Sequence, residues 1–290
     1  MTDVRCIRLE ERGLLAISGE DRVAFLQGLV SNDVHRVSPT RSLYASLLTP
    51  QGKYLFDFMM IGHEDSLLLD CEADRLEALR KRLAIYRLRS RVDLADVTGS
   101  WQVHAAWGGD ALAALGLSGE PGATVSRRDG IAIVDPRHTG LGARLVTRRG
   151  TDPVSAPIVH GKRDDYEVVR IALGVPDGVR DLEVGRTVLL EAGFDELNGI
   201  DWDKGCYMGQ ELTARTRYRG LVKRRLTPVV ADGAVPEPGT PVTLDGREVG
   251  EIRSGTGDRA LAVLRLAALE AGANELLAGD VRVRPSPGSR

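Results

Sequence analysis

A chain of 290 residues can bury more than one core, because single cores stop growing at roughly 250 to 300 residues, and 42% hydrophobic with 28% charged residues is the balance of a folded globular protein. The 39 basic and 41 acidic side chains leave a net charge of −2, and aromatic residues make up only 4%, which excludes a global field recruiting nucleic acid or anionic membrane and a stacking surface for single strands. Three cysteines without C-x-x-C spacing exclude a disulfide framework, a zinc knuckle and a self-contained iron–sulfur cluster, which commonly takes four thiolates.

The start, "MTDVRCIRLEERGLLAIS", lacks the basic leader and apolar core of a secretory signal, and no later run approaches the roughly 20 apolar residues that span a bilayer. The expectation is a cytoplasmic protein. "GLLAISGEDRVAFLQGLVSNDV" reads as a strand, a Gly-Glu-Asp turn and a helix whose Val23, Leu26, Leu29 and Val30 share a face, with Asp21 as its N-cap. "YASLLTPQGKYLFDFMMIGHEDSLLLDC" carries apolar runs broken at Pro50-Gln51-Gly52 and at Gly62 to Asp65, the punctuation of an antiparallel meander. A helix follows in "EADRLEALRKRLAIYRLR", with Leu76, Leu79, Leu83 and Tyr86 on one face and Glu77 paired to Lys81 on the other.

Between Asp93 and about Val146 come strands at "QVHAAWG" and "IAIVDPR" and a helix-like "DALAALGL"; Tyr166 to Leu173 then suggest a helix stopped by Gly174 and Pro176. From Val222 the chain alternates in short strands, with Asp245-Gly246 as a hairpin signal, and reads as a small antiparallel barrel or sandwich whose boundary lies near Gly220. Short strands with a few helices indicate an α+β fold, and the absence of G-x-G-x-x-G and G-x-x-x-x-G-K-[ST] leaves nucleotide binding through those loops unsupported. His104, His138 and His160 lack ligand spacing, and Cys6 and Cys71 fall in strand segments as small hydrophobes.

The chemistry concentrates in "DKGCYMGQELTART". Gly205 and Gly209 allow sharp turns, Lys204 puts a cation beside Cys206 that favours thiolate if the two side chains meet in space, and Gln210, Glu211 and Arg215 line a helix beginning near Met208. The competing reading is a buried cysteine beside a solvated lysine, and spacing does not decide between them.

"KGCYMGQELTAR" resembles the K-G-C-Y-x-G-Q-E signature of YgfZ-type folate-binding proteins, members of the aminomethyltransferase (glycine cleavage T-protein) superfamily with relatives in mitochondrial iron–sulfur cluster assembly. "FLQGLVSNDV", "LLTPQGKYLFDF" and "EVGRTVLLEAGFDELNGIDWDKG" extend the resemblance over nearly the whole chain. It implies an aminomethyltransferase-like α+β fold: two interleaved modules around a central opening in residues 1–221, the second inserted at about 47–97, and a C-terminal β-barrel at 222–290.

It also implies bound tetrahydrofolate or a derivative, with Glu191 in "LLEAGF" accepting from the pterin edge and Arg225 near the folate. Arg224 is hard to tell from Arg225, and a solvated strand start competes for the whole basic run Lys223 to Arg225. The T-protein pairs two aspartates where this chain has Phe56-Asp57, so one carboxylate is missing and aminomethyl transfer is in doubt, with Asp57 left as a folate-site candidate. Two function classes follow. The favoured one is a folate-binding factor for iron–sulfur cluster assembly or repair, acting with iron–sulfur carrier or client proteins and indirectly on tRNA modification. In it Cys206 is a functional thiol or transient ligand of a shared [2Fe-2S] cluster, Lys204 is the cation beside it, and Tyr207, Gln210 and Glu211 position its loop. The other is a folate-dependent aminomethyltransferase-type enzyme.

Overall fold

A computed structural model describes residues 4–153, 158–272 and 276–286, and these form two compact units. The first comprises the chain up to Gln51, Leu55–Lys162 and Glu196–Gln210; the second comprises Gly52–Tyr54, Arg163–Asp195 and the chain from Glu211 onward.

The first unit begins with β1 (Val4–Arg8) and β2 (Arg12–Ser18), which enter different sheets. After α1 (Arg22–Gln27), the strands β3 (Leu43–Leu48), β4 (Tyr54–His63), β5 (Ser66–Glu72) and β6 (Asp93–Asp96) join β2 in the order β3-β4-β5-β2-β6. The sheet therefore takes in β2 and the start of β3, which precede residue 47. The apolar run of β4 is buried from Phe56 to Ile61, as expected of a strand covered on both faces. Against the sheet lies α2 (Ala73–Arg87), which buries Leu76, Leu79 and Leu83 and carries Glu77 3.5 Å from Lys81 on its outer face.

β7 (Trp101–Trp107), α3 (Ala111–Ala114), β8 (Thr124–Arg127), β9 (Gly130–Val134), β10 (Ala143–Arg148) and β11 (Ile158–His160) follow, and their strands join β1 in the order β11-β1-β7-β10-β9-β8. Buried ions link the two sheets. Arg12 Nε donates to Asp70 Oδ1 at 2.7 Å, Arg144 lies 3.4 Å from the other Asp70 oxygen and 3.5 Å from Asp135, and Arg137 grips Asp135 through Nε at 3.0 Å and Nη2 at 2.8 Å. Burial alone would raise the Asp135 pKa, but the charge and hydrogen bonds of Arg137, with the charge of Arg144, hold it below the ordinary carboxylate value.

In the second unit α4 (Arg163–Ala172), α5 (Gln210–Tyr218) and α6 (Leu266–Gly272) accompany a closed barrel. Its strands are β12 (Arg224–Ala231), β13 (Pro241–Leu244), β14 (Arg247–Thr256), β15 (Arg259–Arg265), β16 (Leu276–Ala278) and β17 (Val281–Pro285), in the order β12-β15-β14-β13-β16-β17. Asp245 and Gly246, at φ 50° and 72°, make the two-residue turn of the β13–β14 hairpin, the left-handed pair that matches strand twist. Buried Arg170 ties α4 to the barrel, donating to Asp181 at 2.8 Å, Glu167 at 2.8 Å and Ser254 at 2.7 Å.

Three local expectations are corrected. Asp21 occupies the N-cap position of α1, but its carboxylate accepts from the Arg91 main-chain N–H at 2.7 Å and caps nothing. The helix ends at Gln27, so Leu29 and Val30 are buried from the turn that follows it. α5 starts at Gln210 and not near Met208, because Gly209 stands at φ +80°, outside the helical region.

Candidate functional site

The last carbonyls of any helix lack partners within it, and α1 is too short to escape that demand. Its C-terminal end meets the segment Asn198–Gln210. Lys204 Nζ donates to the Gln27 carbonyl at 2.9 Å and to the Val30 carbonyl, and Met208 N–H donates to the Gly28 carbonyl at 3.0 Å. The Gln27 side chain answers by donating to the Lys204 carbonyl at 3.3 Å and to Asp33 Oδ1 at 3.0 Å, while accepting from Val34 N–H at 2.8 Å.

Further along, Asn32 Nδ2 donates to the Asn198 carbonyl at 2.8 Å, Ser31 Oγ to the Gly199 carbonyl at 2.6 Å, and Arg36 to Asp201 at 2.8 Å. Two sequence blocks about 170 residues apart are thereby laced into one structure.

Cys206 sits between the two anchors. On one side Lys204 is tied to α1, with its charge 5.0 Å from the centre of the Tyr207 ring; on the other Met208 packs into the core of the unit. Gly205, at φ +88° with open space where a Cβ would stand, is required for its conformation alone. Tyr207 is buried, and its N–H donates to Gln210 Oε1 at 3.2 Å while its carbonyl accepts from Gln210 N–H at 3.2 Å, closing the turn into α5. Cys206 itself is exposed, whereas Cys6 and Cys71 are buried and their thiols are pushed up to about 12, chiefly by burial. Among the described residues no three His, Cys, Asp or Glu side chains are grouped to hold a metal ion, so Cys206 offers one donor.

The Lys204 hydrogen bonds go to the Gln27 carbonyl at the end of α1 and to the Val30 carbonyl in the turn after it, and burial pulls the ammonium down to about 8 against the opposing charges of Asp33 and Asp201. Glu211 stands apart from the clamp: its side chain is 92% exposed and lies 4.0 Å from Arg215, one helical turn on.

The remaining candidates fall elsewhere. Asp57 is buried on β4 and accepts from Tyr44 Oη at 2.9 Å. Phe56 faces the core under α2, with the Arg75 guanidinium 4.3 Å from its ring centre, so the position next to Asp57 is built for an apolar side chain. In the second unit Glu191 lies in a 3-10 turn, Leu189–Ala192, and Arg225 on β12 braces that turn by donating to the Leu190 carbonyl at 3.2 Å, with Asp195 at 3.6 Å. Glu191 lines a cavity of about 70 Å³ with Arg186, Arg224 and Arg253. That volume is far below the roughly 300 Å³ at which small-molecule pockets begin, so this cavity does not enclose a folate; the Glu191 carboxylate, which has no hydrogen-bond or ion-pair partner among the described residues, suits an aminopyrimidine edge in its chemistry.

Sequence reasoning missed the partners of the loop: Gln27, Ser31 and Asn32. Their signal was a run of polar side chains, Ser31-Asn32-Asp33, directly after an apolar helix, inside a block already singled out for its resemblance.

Comparison with known proteins agrees with this architecture. Residues 223–289 match the family model "CAF17, C-terminal beta-barrel domain". The human protein "Iron-sulfur cluster assembly factor IBA57, mitochondrial" is 34% identical over 308 residues, spanning 98% of this chain and 82% of the relative, and its mouse counterpart is 32% identical, spanning 97% and 81%. The crystal structure of the glycine cleavage system aminomethyltransferase T from Bartonella henselae superposes with a TM-score of 0.79 over 99% of this chain and 86% of that one, at 14% identity. The fold is thus aminomethyltransferase-like. The expectation of a cytoplasmic protein is overturned, because these relatives are mitochondrial by name.

Proposed function

The chain belongs to the IBA57 family of iron–sulfur cluster assembly factors, and from that premise we propose that it assists cluster assembly or repair with Cys206 as its working thiol. The observation that carries the reading is the contrast among its cysteines. Cys206 alone is exposed, on a loop fixed on both flanks to α1, while Cys6 and Cys71 are sealed in cores. One thiolate cannot hold a cluster but completes the coordination of a [2Fe-2S] cluster shared with a carrier protein. Lys204, Tyr207 and Gln210 then act by holding the loop, which limits the entropy lost when the partner's ligands close on the cluster.

Two finer parts rest on the resemblance to YgfZ-type proteins. Tetrahydrofolate or a derivative is the bound small molecule, with Glu191 accepting from the pterin and Arg225 holding the Glu191 turn in place. The client enzymes include those that modify tRNA, so the effect on tRNA is indirect. The apolar setting of Phe56 supports assembly over aminomethyl transfer, because the second carboxylate of that chemistry has no place there.

The test is anaerobic incubation of wild type and Cys206→Ser with a [2Fe-2S] donor and an iron–sulfur carrier, followed by gel filtration monitored in the visible. Wild type is expected to form a coloured complex and the serine variant none; an equally coloured Cys206→Ser complex rejects the thiol role. Calorimetric titration with tetrahydrofolate is expected to give equal binding to both proteins and a loss of at least about tenfold for Glu191→Ala. Unchanged binding by that variant removes the pterin assignment.

A further inference from the structure

The surface that follows the Cys206 loop is charged in a way the whole chain is not. Residues 211–225 hold six basic side chains, Arg215, Arg217, Arg219, Lys223, Arg224 and Arg225, against one acidic one, Glu211. The segment therefore carries +5 within a chain of net −2, which leaves −7 on the remainder. α5 turns Thr213 and Thr216 inward and leaves Arg215, Arg217 and Arg219 exposed; Lys223 and Arg224 continue the exposed run to the first strand of the barrel. The Glu211–Arg215 contact, at 4.0 Å between exposed side chains, neutralises little. Arg219, Lys223 and Arg224 have no ion-pair partner among the described residues. Amid these cations Tyr218 is 75% exposed, with Arg217 5.9 Å from its ring centre, and Leu221 is 46% exposed.

We propose that α5 and the segment to Arg224 form the docking surface for the acidic face of a [2Fe-2S]-carrying protein. Three features select that partner. Guanidinium groups outnumber ammonium groups four to one up to Arg224, and guanidinium forks match carboxylates. Tyrosine and arginine, exposed side by side here, are among the residue types enriched where a few residues dominate protein–protein binding, and Leu221 adds an apolar contact. A nucleic acid long enough to track past the segment meets a net-negative remainder, and a second copy meeting it through the same face would set like charges against each other. The assignment of cluster cargo to this partner rests on the proposed function, since α5 begins four residues beyond Cys206 along the chain.

An acidic plant-type [2Fe-2S] ferredoxin is the probe, its binding to the full chain measured at about 50 mM and about 300 mM salt, conditions that change screening strongly. At low salt Arg219→Glu/Lys223→Glu is expected to weaken binding at least about tenfold, with the gap to wild type closing at high salt. Tyr218→Ala is expected to weaken binding at least about threefold at both salt concentrations. A plant-type ferredoxin holds its cluster on four thiolates of its own, so its binding reads the surface and not coordination by Cys206, and Cys206→Ser is expected to bind as wild type does. No ferredoxin binding by wild type, unchanged binding by the charge-reversed variant, or binding of bulk transfer RNA in place of ferredoxin each overturns the surface. If Cys206→Ser abolishes binding while charge reversal does not, recognition lies at the thiol: the docking surface fails and the thiol role stands.

Discussion

Lys204 Nζ reaches across 177 residues of sequence to the carbonyl of Gln27, at 2.9 Å, and Gln27 returns a side-chain hydrogen bond to the carbonyl of Lys204 at 3.3 Å. This reciprocal pair closes the end of a short helix and holds the cysteine loop at once, so helix termination and loop position are one feature.

The pair makes stability depend on pH in a defined window. Unfolded, Lys204 binds its proton up to the ordinary 10.5, whereas folded it does so only up to about 8. Between those values the unfolded chain holds more protons, so the Lys204 contribution to stability rises with pH across the window. Urea midpoints measured from pH 8 to 10 are expected to show this rise in wild type and to lose it in Lys204→Met. Parallel curves for the two proteins would contradict the buried placement of the amine.

Thiol chemistry should separate the cysteines. With a disulfide reagent near neutral pH, one thiol per chain is expected to react at once, and the other two only after denaturation. Cys206→Ser should remove the fast phase entirely. A persistent fast thiol in that variant would place Cys6 or Cys71 at the surface.

Two glycines test conformation against space. Gly205→Ala meets no atom within 4 Å and carries only the left-handed backbone cost, about 1 to 2 kcal/mol. At Gly142, also at positive φ, an added Cβ would stand 2.2 Å from the Ala106 carbonyl oxygen, so Gly142→Ala is expected to cost well above that figure. Denaturant unfolding of both variants gives the order; equal losses would contradict it.

The buried ions between the two sheets predict a penalty for removing one of them. Arg144→Met leaves buried Asp70 with Arg12 and buried Asp135 with Arg137, each with one cation fewer, and is expected to cost about 1 to 3 kcal/mol in urea unfolding. Because the folded Asp135 carboxyl is held below its unfolded value, its contribution is present above the usual 3.8 and lost as pH falls through the folded value. Asp135→Asn should therefore flatten the acid limb of the stability curve, and an unaltered limb would assign acid sensitivity to other carboxylates.

Elements whose signals are local were legible in the sequence. The Asp245-Gly246 hairpin, the buried face of α2 and the alternating strands of the barrel depend on residues a few positions apart, where turn geometry and side-chain period decide the outcome. The "KGCYMGQE" block singles out Cys206 within the sequence. Tertiary structure alone decided what the neighbours of that cysteine do. Lys204 is spent on the orphan carbonyls of α1, Asp21 on the N–H of Arg91, and Phe56 on a core beneath Arg75, because each was satisfied by a partner distant in sequence. The exposure of Cys206 is of the same kind: burial is a property of everything packed around a residue, and no spacing along one strand of chain encodes it.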